Sequence, residues 1–306
     1  MTPAQTHIHM ADWGLLLILS VLWGGSFLFV GIAVKDVSPL VIVMTRVVIA
    51  AAVLLPIHWL VIGALPKDRE TWITFAGMSL LTNVIPFTLI VTGQTMIASG
   101  LAAVINATTP LFGAAILAAA GREPLVLRKV AGILVGIAGV AVLKGGTLFG
   151  AGAQSIGILL CLGAAMCYGI GSLWAKLRLK DTPPLSLATG QLLVSSAIMV
   201  VLAIAFDDPA QLFAASLASW LSLLGLALLA TSLAYIIFFR VVARSGPANV
   251  LLVTMMIPVS AIAMGVTVLG ETLEAREVTG ALIILLALLI IDGRVLKYLR
   301  FRQNPA

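Results

Sequence analysis

The chain has 306 residues, 61% of them hydrophobic and only 10% charged, with a mean hydropathy of +1.17. A typical soluble domain carries about 25% charged and about 45–50% apolar residues, so a water-soluble fold is excluded and a bilayer becomes the expected solvent. The formal net charge is +6, but the bases lie between apolar stretches rather than in a patch, which reads as membrane topology and excludes nucleic acid as a partner.

Ten transmembrane helices are predicted, at 12–34, 39–61, 71–93, 97–120, 127–146, 155–176, 184–205, 217–239, 248–269 and 274–296. The first is uncharged from Trp13 to Val34 and lacks the basic flank and short apolar run of a cleaved signal peptide, so it is kept as a span. The short stretch before it is expected to hold no soluble domain. Trp23-Gly24-Gly25-Ser26 lies near its middle, where an aromatic ring is better placed to bound an internal cavity than to anchor at an interface.

The second span contains Arg46, the one charge well inside a span. Arginine at a helix centre costs about 2.5–3.5 kcal/mol on insertion scales, less near an end where it can snorkel. Two roles stay open for it: a structural or gating hydrogen bond, and a direct grip on a substrate carboxylate. The third span sets Ser79, Thr82, Asn83, Pro86 and Gly93 at helical spacing, and the fourth Ser99, Asn106, Pro110 and Gly113. Gly132, Gly136 and Gly139 give the fifth a close-packing face.

Cys161 and Cys167, in the sixth span, are read as packing residues, with neither a disulfide nor a metal site expected. Tyr168 and Ser172 follow there, Tyr168 as a second inward ring. Thr231, Ser232 and Tyr235 share a face of the eighth span, and Thr254 and Pro258 lie in the ninth. Polar groups inside a bilayer face a bundle interior or cavity, so these stripes are candidates for substrate contact, with interhelical packing as the alternative for any single residue. Pro86, Pro110 and Pro258 are expected to break helices and free carbonyls, and Gly24-Gly25 and Gly169 to Gly171 to loosen the first and sixth spans.

With the N-terminus inside, fourteen of the eighteen Lys and Arg fall in inner connectors or the tail and three (Lys35, Lys144, Arg276) in outer connectors. The positive-inside rule then puts both termini in the cytoplasm.

The chain also repeats itself. Pro110 pairs with Pro258, Glu123 with Glu271, Leu125 with Leu273, Arg128 with Arg276, Val130 with Val278 and Gly132 with Gly280, all 148 residues apart. At a spacing of 145, Trp23-Gly24 pairs with Tyr168-Gly169, Pro39-Leu40 with Pro184-Leu185 and Arg46 with Gln191. Two five-helix halves follow, residues 1–147 and 148–306, and the odd helix number makes them inverted repeats. Glu123 and Glu271 read as helix-boundary residues, each accepting from the N-terminus of the helix that follows it.

Ten helices in two such halves, the Trp23-Gly24-x-Ser26 step, and Pro110 to Glu123 and Pro258 to Glu271 closing the fourth and ninth helices resemble the EamA-type members of the drug/metabolite transporter superfamily. The resemblance covers essentially the whole chain and is closest to the YddG-type amino-acid exporter branch. It implies an all-α, polytopic carrier in the bacterial inner membrane. Its substrates would be small neutral metabolites, aromatic and other neutral amino acids foremost, moved by alternating access. Trp23, Ser26, Arg46, Asn83, Asn106, Tyr168, Ser172, Ser232, Tyr235 and Thr254 are the candidate substrate-binding residues.

No Asp or Glu lies deep in a span, which disfavours the buried-glutamate proton exchange of the small multidrug-resistance branch. Nucleotide-sugar or phosphate-ester exchange would want more cavity bases than Arg46 supplies. The sequence has no metalloprotease, serine-hydrolase or Walker A motif, so neither an enzyme nor an ATPase is expected; a passive channel would want a ring of charge that no span carries. No cofactor or metal is implied. The partners are a small-molecule substrate and membrane lipid, with oligomeric state open and a monomer sufficient.

Overall fold

The computed structural model describes residues 10–145, 152–179, 182–245 and 252–293, and all the regular structure there is helical. Helix α1 spans Met10–Ala33 and α2 Pro39–Val61. The third rod is α3 (Arg69–Ser79), a π-helical stretch (Leu80–Val84) and α4 (Ile85–Gln94). The fourth is α5 (Ser99–Asn106) and α6 (Thr109–Ala119), followed by α7 (Leu127–Lys144), α8 (Ala153–Arg178) and α9 (Pro184–Phe206). After a 3₁₀ turn (Pro209–Ala214) come α10 (Leu217–Leu224), a second π stretch (Gly225–Leu233) and α11 (Ala234–Ser245). The last rods are α12 (Leu252–Met264) with a π stretch (Gly265–Leu269), and α13 (Ala275–Asp292). The start of the ninth predicted span, the end of the tenth and the basic tail lie outside the described residues.

Local chemistry sets the boundaries. Pro39 and Pro184 open α2 and α9 in the first turn, where no donor is lost. Asp68 caps α3 by accepting from the Thr71 N–H at 2.8 Å. Gly145 and Gly293 end α7 and α13 with φ of 72° and 70°.

Among the described residues eight helices are long and apolar enough to cross a membrane, against ten expected. The two that fall short, α7 and α13, have 18 residues each and carry charges at their ends: Arg128, Lys129 and Lys144 on one, Arg276, Glu277 and Asp292 on the other. These two helices pack on each other.

Further pairs fix the bundle: α2 on α9, α1 on α12, and α8 on both α4 and α6. Close approach needs glycine, and the approaches are reciprocal. A Cβ on Gly24 would collide with Ser260 and Ala261, and one on Gly169 with Phe112 and Gly113; Gly132 meets Ile291 while Gly280 meets Leu143. Contrary to expectation, α1 and α8 run unbroken through these glycines, which admit a neighbour rather than loosen the helix. Outward-facing Leu60, Leu134, Val201 and Leu282 are exposed apolar residues, as a lipid-facing surface requires.

Candidate functional site

Where α2, α9 and the two π stretches meet, the bundle buries its polar groups. A π turn holds one residue more than an α turn and shifts the register of the residues after it. The first π stretch carries Asn83 and the second Thr231 and Ser232, all three buried. The hydroxyls of Thr231 and Ser232 reach back five residues, to the Leu226 carbonyl at 2.7 Å and the Ala227 carbonyl at 2.9 Å.

Arg46 is 7% exposed. Its Nε–H donates to Thr231 Oγ1 at 2.8 Å, and its Cζ lies 3.7 Å from the centre of the Phe87 ring. Tyr168 and Tyr235 lie within electrostatic reach of the guanidinium. Among the described residues, Arg46 has no carboxylate partner and its two terminal nitrogens have no hydrogen-bond acceptor.

Asn83 is used at both ends of its amide. Its Oδ1 accepts from Tyr235 Oη at 2.9 Å and its Nδ2 donates to Ser195 Oγ at 3.0 Å. Ser195 in turn donates to the Gln191 carbonyl at 2.6 Å and meets Ser79 Oγ at 2.8 Å. Asn83 thus holds the Tyr235 ring in place rather than offering a free amide. Rings continue from Tyr235 to Phe239 (centroids 6.2 Å apart), Phe238 (5.1 Å) and Trp23 (5.5 Å), linking α11 to α1.

A cavity of about 360 Å³ opens between α2, α9 and α11, within the size range of small-molecule sites. It starts at Tyr235 and Phe239 and runs past Leu54, Ile57 and Ala188 to Ile62 and Pro183 at one end of the bundle. Its wall is almost wholly apolar. The opposite end is closed by polar contacts between connectors: Asp36 accepts from the Ser216 N–H at 3.1 Å, the Ser216 hydroxyl and the Ser219 hydroxyl at 2.7 Å. Beside it Ser38 donates to Asp207 and exchanges hydrogen bonds of 2.7 and 2.9 Å with Gln211. The Ser216 and Ser219 donors hold the Asp36 carboxyl below its usual pKa.

The sequence-predicted residues divide accordingly. Arg46, Asn83, Ser232 and Tyr235 gather around the π stretches with Tyr168 beside them, and Trp23 joins through the aromatic row. Tyr235 lines the cavity; the other nine candidates do not. Ser26 and Ser172 spend their hydroxyl protons on the Trp23 and Tyr168 carbonyls of their own helices, and Ser172 is exposed. Asn106 ends α5, its Oδ1 buried without a partner among the described residues, and Thr254 is partly buried on α12.

Pro86 follows the first π stretch and Pro110 opens α6 after a break at 107–108. Pro258 does not break its helix: α12 continues through it, and the irregular turn comes later, at Gly265–Leu269. The glutamates also differ from expectation. Glu271 accepts from the Ser99 and Gly100 N–H groups at 2.7 and 3.1 Å, capping α5 rather than the helix after it. Glu123 pairs with Lys129 and Lys176 at 2.8 and 2.9 Å. Ser195 and Phe87 escaped the sequence reading, although Gln191 and Ser195 repeat at i, i+4 on one face of α9.

The sequence profile of the EamA-like transporter family matches residues 12–144 and again 155–292. The chain belongs to the EamA-like transporter family. It is 27% identical over 288 residues to a probable amino-acid metabolite efflux pump of Salmonella typhimurium, covering 91% of this chain and 94% of the relative. It is 27% identical over 282 residues to the uncharacterized inner membrane transporter YedA of Escherichia coli (91% and 90% covered) and 24% identical over 270 residues to the uncharacterized transporter YoaV of Bacillus subtilis (88% and 92%). A solved crystal structure superposes with a TM-score of 0.67 over 95% of this chain and 99% of its own, at 18% identity, a likeness of fold.

Proposed function

We propose that this transporter exports small neutral metabolites, amino acids foremost, across a bacterial inner membrane by alternating access, with both termini cytoplasmic. The halves, residues 1–147 and 148–306, act as inverted five-helix repeats. The two family-matched segments and the reciprocal glycine contacts support that arrangement.

The observation that carries the substrate class is Arg46: a buried guanidinium whose fork points at no acid among the described residues, framed by Thr231 and Phe87. Such a fork matches a carboxylate in a bidentate geometry. A zwitterion brings that carboxylate without net charge, and the apolar cavity lined by Tyr235 offers room for a side chain. The Salmonella relative, a probable amino-acid metabolite efflux pump, agrees with this reading. The cavity reaches the end of the bundle bearing Ile62 and Pro183, while Asp36, Ser38 and their partners close the other. With the termini cytoplasmic, this is the inward-open form.

The test is counterflow in liposomes holding the purified chain, preloaded with one unlabelled amino acid per sample and given the same labelled compound outside, with no pH gradient. Transient accumulation of at least one neutral amino acid is expected. Absence of accumulation for every one would reject the reading.

A further inference from the structure

The cavity beside Tyr235 is bounded by three helices, of which two pack tightly. Helix α2 lies along α9, whereas α11 meets α9 only briefly and α2 scarcely at all. The seam left between α2 and α11 is edged by Val61, Ile62 and Ile236, apolar cavity residues that are all exposed. Within a membrane-spanning length such a seam faces acyl chains. Water gains little in the room behind it, since a held water needs about two to four polar partners. The one polar side chain on the wall, Tyr235, already donates to Asn83 Oδ1 at 2.9 Å. Charge marks the same end of the cavity. Ile236 and Arg240 share a face of α11 one turn apart, with Arg240 nearer the helix end. Arg240 is exposed and has no acidic partner among the described residues.

We propose that an acyl chain of an anionic glycerophospholipid enters this seam and occupies the cavity, with the lipid phosphate at Arg240. The lipid comes from the leaflet at the Ile62 and Pro183 end, the inner one when the termini are cytoplasmic. Chain and substrate side chain use the same apolar room at different times, so the lipid keeps water out of the route until substrate arrives. The choice of leaflet and the sharing with substrate rest on the proposed function; the lipid site itself rests on the cavity, the seam and Arg240. A zwitterionic lipid lacks the net charge that a base at the membrane surface attracts, and glycerol phosphate lacks the chain.

Photolabelling of the full chain in proteoliposomes decides it. The probe is a phosphatidylglycerol with a diazirine near the middle of one acyl chain, and peptide mass spectrometry reads the labelled residues. Leu60 and Val201, which face outward, report the lipid that surrounds the bundle. Ile57, Leu185 and Phe239, half-buried on the cavity wall, report a chain inside it. Label is expected on both sets. Leu185→Trp, which fills the cavity from its wall, is expected to lower label on Ile57 and Phe239 about tenfold and to leave Leu60 and Val201 unchanged. Arg240→Gln, or the same acyl probe on a phosphatidylcholine headgroup, is expected to lower cavity label about fivefold.

Label confined to outward positions such as Leu60 and Val201 would overturn the lipid site, and so would cavity label that Leu185→Trp leaves intact. Equal cavity label from the two headgroups, or from wild type and Arg240→Gln, would overturn the assignment of the phosphate to Arg240. Counterflow is read separately: its absence would reject the proposed function, and the labelling would still decide the lipid. Should Leu185→Trp fail to fold, Ile236→Trp narrows the seam from an exposed position and is expected to lower the same cavity label, and the wild-type map needs no variant.

Discussion

Arg46 on α2 and Gln191 on α9 occupy matching places in the two family-matched segments, on helices that pack against each other. Both are buried, at 7% and 4% exposure, and both reach a threonine hydroxyl on the π-containing rod of the other segment. Arg46 donates to Thr231 at 2.8 Å; Gln191 accepts from Thr82 at 3.4 Å, a long contact that Thr82 supplements with a 2.6 Å bond to the Met78 carbonyl. A neutral amide can be buried with such partial satisfaction at modest cost, whereas a cation cannot. The two contacts are thus alike in placement while their chemistry differs. One side is a neutral amide contact and the other a buried guanidinium held by one hydroxyl and one ring face.

The sharpest way to break this comparison is to make the two sides alike. Arg46→Gln should lower amino-acid counterflow by about 10–100-fold, the range set by about 1.5–3 kcal/mol for a hydrogen bond to a charged group. Gln191→Leu should leave it within about threefold, since Thr82 keeps its main-chain acceptor. Counterflow at matched protein density reads both, and thermal midpoints separate misfolding from lost binding. Equal losses in the two variants would mean that the site is built symmetrically and that Arg46 has no special hold on substrate.

Much of this asymmetry was legible in the sequence. Hydropathy found the rods because a span leaves a run of apolar residues whatever it packs against. Arg46 stood out because a lone charge in such a run is costly, and the Arg46–Gln191 match placed the two residues in one register. The π stretches were not legible. A wide turn arises from the packing of neighbours and leaves no pattern in side-chain chemistry, so straight helical spacing could not show that Asn83 pairs with Tyr235 and Ser195. Ser195 was passed over because one serine in an apolar helix reads as packing until Asn83 and Ser79 are seen beside it. Nor could local reading assign Glu271, whose acceptor role spans 172 residues of chain.

The glutamates carry the same comparison to the ends of the rods. Glu271 and Glu123 stand in one sequence phrase, yet Glu271 binds two main-chain N–H groups of α5 and Glu123 binds two lysines. Capping a helix N-terminus is worth about 0.5–2 kcal/mol and uses donors with no intrahelical partner. Glu271→Ala should therefore lower the thermal midpoint by about 2–6 °C, with little sensitivity to salt.

Glu123 is the weaker partner, because its side chain is 35% exposed and that of Lys176 42%, a setting in which ion pairs contribute about 0–1 kcal/mol. The bonds from Lys129 and then Lys176 hold its carboxyl below the ordinary value of 4.5. With the folded-state pKa depressed, the stabilisation is complete above the unfolded-state pKa and is lost as pH falls through the folded-state value. Glu123→Gln should thus lower the midpoint by no more than about 3 °C at neutral pH. The gap from wild type should close as pH drops below 4.5 or as salt rises. A gap that persisted in acid would show that Glu123 acts, like Glu271, through main-chain hydrogen bonding rather than through its charge.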